Sequence, residues 1–299
     1  MPSSRLVLLA LFATVLRAQE ISLTFDDLPN HGDLPPGVTR ADVARTFVAG
    51  LKPAGVEFYG FVNAGRAEGE AAQNEVLQTW RKAGFPLASH SYSHMDLHRN
   101  SVEDFQRDID QNEAALRQLM AGQDWKWFRY PYLREGDTLE KRRAVRAYLK
   151  QQGYRTAQVT VDFGDYLWNA PYARCMAKGD QEAVEELKSL YLEAAEDSLD
   201  AGQELANELF GRDIKHTMLL HIGAFTGLML PDLFDLLDYL DFEVVTLAEA
   251  HSDAAYKSDP DAATTRGETL LMQMALAKRL DYDRHPDDAY AGQLEKFCR

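Results

Sequence analysis

A rhythm constrains this chain more than any single residue does: short runs of apolar and β-branched residues alternate with stretches of helical periodicity, and a polar cluster follows nearly every run. The runs are Ile21 to Phe25, Val56 to Val62, Phe85 to Ala88, Trp125 to Arg129, Thr156 to Val161, Met218 to His221 and Glu243 to Leu247. Strands separated by helices lie parallel, because each crossover returns the chain to the same end of the sheet. Seven of them suit an α/β fold of the closed or nearly closed, TIM-like (β/α) barrel kind better than a short open sheet. Thr39 with Asp42 and Ser101 with Asp104 each pair an N-cap hydroxyl with an acid three residues on, opening two helices, the second of which runs to about Met120. Gly55, Gly84 and Gly153 stand where helices hand over to strands.

Two stretches break the rhythm. From about 180 to 210 the chain is rich in Glu, Ala and Leu, which reads as an acidic helical insertion that either covers the barrel or shapes one wall of a groove. From 251 to 299 a loop with Pro and Asp leads to helices expected near Glu268 to Leu280 and Tyr290 to Phe297, a C-terminal helical extension expected to pack on the outside of the domain. Residues 19–250 are left for the barrel. Residues 1–18 have the form of a signal peptide, with Arg5 as a positive start, an apolar run from Leu6 to Leu16 too short to span a bilayer, and Ala18 as a small residue before a cut. The chain is therefore expected to be exported, periplasmic or secreted, with no stable membrane span. Cys175 and Cys298 are too few for a thiolate metal cluster, and after export they either form one disulfide or stay as two buried thiols. A formal charge of -15 argues against nucleic acid, whose binding relies on Lys and Arg meeting phosphates. A neutral or cationic substrate suits it better.

Any metal must therefore use histidine and carboxylate. His90 and His94 are four apart, which puts both imidazoles on one face of a helical turn, as a divalent ion requires. Asp27, at the end of the first strand, can add an oxygen, and two His with one carboxylate make an open zinc or iron site with room for water. An isolated pair of histidines would more simply be capping or surface residues. The Asp26-Asp27 pair tips the balance, since it has no packing reason to follow a buried strand. His98 continues the row but lies about 12 Å along a helix from His90, hard to bring to the same ion. His31 is expected at the rim of a pocket, and Asp96 either holds a ligand imidazole or caps a turn.

In chain order, Thr24-Phe25-Asp26-Asp27, His90-Ser91-Tyr92-Ser93-His94, Arg129-Tyr130-Pro131-Tyr132, Asp162-Phe163-Gly164-Asp165 and Leu219-Leu220-His221 resemble the five motifs of the NodB-homology polysaccharide deacetylases, carbohydrate esterase family four. The resemblance covers about 21–250 and implies a distorted (β/α) barrel. It implies that Asp27, His90 and His94 hold a divalent metal, usually Zn2+, while Asp26 stays free as general base for the metal-bound water. His221, arriving from the opposite side of the barrel, would be the general acid that protonates the departing amine, with Asp165 orienting it. Arg129 would pair with Asp26 and tune its basicity, and the backbone N–H of Tyr132 would help stabilise the oxyanion. Leu219 and Tyr166 would line the pocket for the acetyl methyl and the sugar face. An ordinary salt bridge for Arg129, and plain core for Leu219 and Tyr166, stay open.

Leu28, Tyr166 and Ile222 depart from the Gly, Trp and acid that many family members carry at those places. Trp168 either takes over sugar stacking or fills the barrel top. The implied activity is removal of N-acetyl groups from an amino-sugar polysaccharide or oligosaccharide by attack of metal-bound water. The alternatives are an O-acetyl (xylan-type) esterase and a catalytically inactive sugar-binding barrel.

Overall fold

The computed structural model describes residues 18–280, 282 and 286–299. The expected leader, apart from its last residue, lies outside the described residues.

Strand β1 (Gln19–Leu28) is buried from Ile21 to Leu28, on both faces. Side chains alternate across a strand, so Ile21, Leu23 and Phe25 turn to one face and Ser22, Thr24 and Asp26 to the other. The apolar face joins the main core, where Phe25 packs edge-on against Phe47 of α1 (Arg40–Leu51) and Trp80 of α2 (Ala71–Lys82). The polar face points into the barrel. Thr24 donates there to the carbonyl of Met218 and accepts from Arg129, so that period-two patterning delivers Asp26 to the interior at the end of the strand.

All strand pairs are parallel. The sheet runs β5 (Arg155–Thr156), β4 (Trp127–Phe128), β3 (Leu87–Ser89), β2 (Gly60–Val62), β1, β6 (His216–His221), and β7 (Phe242–Val244) pairs with the start of β1. Each of the seven expected runs holds one strand. The run from Thr156 to Val161 does more than was expected of it. Its first residue pairs with β4, but Thr160 and Val161 donate to the carbonyl of Thr217, and Leu219 donates back to Val161. One short segment thus bends from one edge of the sheet to the other, and the result is a curled half-barrel.

Helices cover the outside. Thr39 and Asp42 form the expected capping box on α1, and Ser101 caps α3 (Val102–Leu119). Gly55, Gly84 and Gly153 take positive φ values of 71°, 93° and 77°, ending the preceding helices at little cost. Between α4 (Leu139–Gln151) and β6 come α5 (Asn169–Lys178) and α6 (Gln181–Phe210), the latter being the expected insertion as one continuous helix. It buries Leu187, Tyr191 and Leu199 against the barrel's outer helices, among them α7 (Ala224–Tyr239). It covers the barrel.

The C-terminal extension departs from expectation. After the short α8 (Leu247–Ala250), the segment leading to α9 (Leu270–Lys278) crosses the strand-end face instead of staying outside. Thr264 N donates to Gly136 O at 2.9 Å and Leu270 N to Val159 O at 2.8 Å. Gly267 lies so close to the backbone of Tyr132 that a Cβ there would stand 2.0 Å from the Tyr132 carbonyl oxygen. Asp259 pairs with Arg142 and Arg146, and Gln273 donates to buried Glu135. The last helix, α10 (Pro286–Leu294), is followed by Cys298, which is disulfide-bonded to Cys175 on α5.

Candidate active site

The Asp pair ends β1. Asp26 follows the strand's alternation inward, whereas Asp27 turns into the left-handed region at φ 68°. Ser91, His94 and Tyr132 do the same, at 62°, 63° and 59°. Non-glycine residues there cost roughly 1–3 kcal/mol each and gather where a site demands them. These angles also correct the expected helical turn at His90 to His94. The spacing of four does bring the two imidazoles together, with ring centres 4.9 Å apart, but through an irregular loop after β3.

His90, fully buried, engages the carbonyl of Arg129 through Nδ1 at 2.9 Å, which fixes the ring and turns Nε2 toward the carboxylates. His90 Nε2 and His94 Nε2 stand 3.7 and 3.2 Å from Asp27 Oδ1. One ligand atom from each of the three residues falls within 4.8 Å of the others. Nitrogens bonded to one tetrahedral ion at 2.0–2.1 Å would lie about 3.3 Å apart, so the spacing is close to what an ion needs. Asp27 Oδ1 is buried and accepts no hydrogen bond, although Arg66 Nη1 stands 3.2 Å away. An orphaned anionic oxygen facing two imidazole nitrogens fits a divalent cation, and the donor set suits zinc or iron. Burial would raise the Asp27 pKa, but the hydrogen bond from His31 and the charges of His94 and Arg66 hold it well below the usual carboxylate range.

Asp26 differs from its neighbour. Burial pushes it up to about 7, against the opposing charges of Arg129 and His221. Arg129 Nη1 lies 3.2 and 3.3 Å from its two oxygens, while the other guanidinium nitrogens bond Ala157 O and Thr24 Oγ1. The expected pairing of Arg129 with Asp26 is thus present.

His221 does not arrive from the opposite side of the barrel. Strand β6 is the immediate neighbour of β1, and Asp26 and His221 are register partners on adjacent parallel strands. Asp165, fully buried, accepts from the backbone N of His221 at 2.9 Å, from its Nδ1 at 2.7 Å and from Thr226 Oγ1 at 2.6 Å. Burial alone would lower the His221 pKa, but the Asp165 charge and hydrogen bond outweigh it and raise the value to about 9. With Nδ1 held, Nε2 is the nitrogen left for other partners.

A cavity of about 340 Å³ receives Asp26, Asp27, His90, His94 and His221, walled by Tyr132, Leu219 and Tyr166. Trp168 is outside it: fully buried in the main core, its indole donates to Leu187 O, so the stacking role is overturned and the core role stands. Asp96 bonds Arg134 and the backbone of His98, capping a turn, and His98 contacts Thr264. Neither touches the metal cluster. His31, expected at the rim, is inside: its Nδ1 is 2.6 Å from Asp27 Oδ2 and its ring centre 4.8 Å from that of His221. Its position four residues after Asp27 was the signal available in sequence. Arg266 and Gly267 of the extension also line the cavity, with Leu133, Arg134 and Asp162, and for the extension no local pattern gave warning.

Fold and site together define a (β/α) barrel protein with a metal-competent polar cavity at its strand ends. Residues 15–157, which carry the first three motifs, match the polysaccharide deacetylase family model. Among solved structures, a chitin deacetylase from the fungal pathogen Colletotrichum lindemuthianum is 24% identical with a TM-score of 0.55, over 80% of this chain and 90% of that one. A peptidoglycan deacetylase, PdaC from Bacillus subtilis, is 20% identical with a TM-score of 0.52, over 79% and 91%. A family 4 pseudoenzyme from Bacillus anthracis is 14% identical with a TM-score of 0.52, over 78% and 65%. These likenesses establish the shared fold. No curated protein sequence matches the chain.

Proposed function

We propose that this protein is a metal-dependent hydrolase that removes N-acetyl groups from an amino-sugar glycan. The observation that carries the reading is the juxtaposition, in one cavity, of the Asp27, His90 and His94 cluster with an Arg-paired carboxylate and an Asp-held imidazole on neighbouring strands. The chitin and peptidoglycan deacetylases that share the fold support the substrate class.

Asp27, His90 and His94 would hold the divalent cation, zinc by the donor set, which polarises the acetyl carbonyl and acidifies water. Asp26 takes the proton of the attacking water. Arg129 keeps that carboxylate oriented and limits how far burial raises its pKa. The backbone N–H of Tyr132, on the left-handed turn beside His94, donates to the oxygen that gains charge. His221 gives its Nε2 proton to the departing nitrogen, and Asp165 holds the ring at Nδ1 while it does so. Leu219 and Tyr166 pack on the acetyl methyl and the sugar face. An amide needs that proton more than an ester does, and a charged His221 beside the base therefore favours N-deacetylation.

Export fits the disulfide, since such bonds persist in oxidising compartments. No helix among the described residues is long and apolar enough to cross a membrane. Acetate release from N-acetylated chitooligosaccharides and from acetylxylan, measured side by side on zinc-loaded protein, tests the reading. The expected result is release from the chitooligosaccharides at a rate at least tenfold above that from acetylxylan. Faster release from acetylxylan would overturn the assignment of the amide.

A further inference from the structure

We propose that His31 is a positioning residue for the metal ligand Asp27: its Nδ1–H holds Oδ2 so that Oδ1 alone is presented to a divalent cation beside His90 and His94. The inference rests on the reading of those three residues as ligands and adds a fourth residue that touches none of the cation's bonds.

An aspartate carboxylate turns easily about its last bond, because that torsion has broad minima and the two oxygens are chemically equivalent. Left alone, Asp27 could offer either oxygen or chelate through both. The His31 hydrogen bond at 2.6 Å removes that freedom by engaging Oδ2, and it leaves Oδ1, the oxygen with no hydrogen bond, toward the two Nε2 atoms.

The loop carrying His31 is fixed at three successive carbonyls. Arg66 Nη1 donates to Asn30 O at 3.1 Å, Arg40 Nη1 to His31 O at 2.7 Å and Arg40 Nη2 to Gly32 O at 2.6 Å. Asn30 N donates back to Asp27 O at 2.9 Å, closing the turn that returns His31 to the carboxylate. Gly32 has φ 64°, and a Cβ there would stand 2.8 Å from the Cβ of Asn169. A residue that merely edged the cavity would not need a loop tethered so closely. Partners of ligand side chains commonly change metal affinity by about 10- to 100-fold when removed.

The test is zinc affinity, measured by chelator competition on the full chain, for the unsubstituted protein, His31→Leu, His31→Asn and His90→Ala, with cobalt absorption as a spectroscopic check. Leucine fills the space without a donor, whereas asparagine keeps an N–H at the δ position. His31→Leu is expected to bind zinc at least tenfold more weakly and to shift the cobalt spectrum, and His31→Asn to stay within about threefold of the unsubstituted protein. Equal affinities for the leucine and asparagine variants would overturn the inference. Should His31→Leu fail to fold, His31→Gln, which moves the donor one atom outward, supplies the same contrast with asparagine. An unsubstituted protein that binds no better than His90→Ala would instead overturn the ligand set itself.

Discussion

Asp26 and Asp27 have the same side chain and adjacent places in the chain, yet their surroundings send them in opposite directions. Burial dominates at Asp26 and lifts it to about 7, while at Asp27 the His31 hydrogen bond and nearby cations overcome burial. The division of labour expected of the pair thus has a physical cause in the partners each one meets. Two other histidines, the buried His216 and the half-buried His251, lie away from the cavity lining and bear on stability. Burial lowers His216 to about 4 and His251 to about 3, so both are neutral in the fold. An unfolded histidine takes up a proton as the pH falls through about 6.5, and the folded ones resist until their own lower values. Their contribution is therefore fully present above pH 6.5 and lost on acidification toward pH 4, by on the order of 3 kcal/mol for His216. Urea midpoints at pH 7.5 and 5 are expected to show this fall, and His216→Leu to make it shallower. At this scale the cluster of Asp27, His90 and His94, the Asp26–Arg129 pair and the His221–Asp165 pair were legible in sequence because each lies in a short motif. His31 was placed too far out because a loop's return path depends on tethers from Arg40 and Arg66 that no local pattern shows.

Elements show where periodicity informs and where it misleads. Seven strands could be read because buried parallel strands are apolar runs with polar ends. Their order could not, and so His221 was expected across the barrel when β6 in fact adjoins β1. A spacing of four reads equally as a helical turn or as a loop whose backbone reverses, and the positive φ at Ser91 and His94 makes it the second. Trp168 shows the limit for single aromatics: an indole two residues from Tyr166 is as ready to fill a core as to stack on a sugar. The strap from Asp259 to Leu270 follows no repeating pattern, and only its contacts bring it to the cavity. Gly267 lies against the backbone of Tyr132. Gly267→Val is expected to push the strap off Tyr132, costing about 1–3 kcal/mol as overpacking does and lowering kcat/KM at least tenfold through the displaced cavity wall. Thermal melting and steady-state kinetics on one preparation check both; unchanged kcat/KM would show that the strap's placement does not matter to the site.

Over the whole molecule, the half-barrel is held by devices distant in sequence from one another. The segment ending at Val161 draws the sheet edges together, Asp259 ties the extension to α4, and the disulfide joins α5 to the chain's end across 123 residues. Closing a loop of that size restricts the unfolded chain, which is worth about 2–5 kcal/mol in secreted domains. Cys298→Ser is expected to lower the melting temperature by several degrees, with zinc affinity unchanged because the bond is remote from the ligands. A melting temperature equal to that of the oxidised, unsubstituted protein would show that the bond adds nothing to the fold. The sequence left pairing and separate thiols equally open, since two cysteines so far apart carry no local signal of their distance in space.

The most direct measurement of the proposed chemistry is acetate release from an N-acetylated chitooligosaccharide by zinc-loaded protein and by Asp26→Asn, with the zinc content of both determined. The unsubstituted protein is expected to release acetate, and Asp26→Asn to retain its zinc while losing about 10²- to 10⁴-fold in rate, the usual range for a general base. A rate for Asp26→Asn within tenfold of the unsubstituted protein, or no release by either at full zinc occupancy, would contradict it.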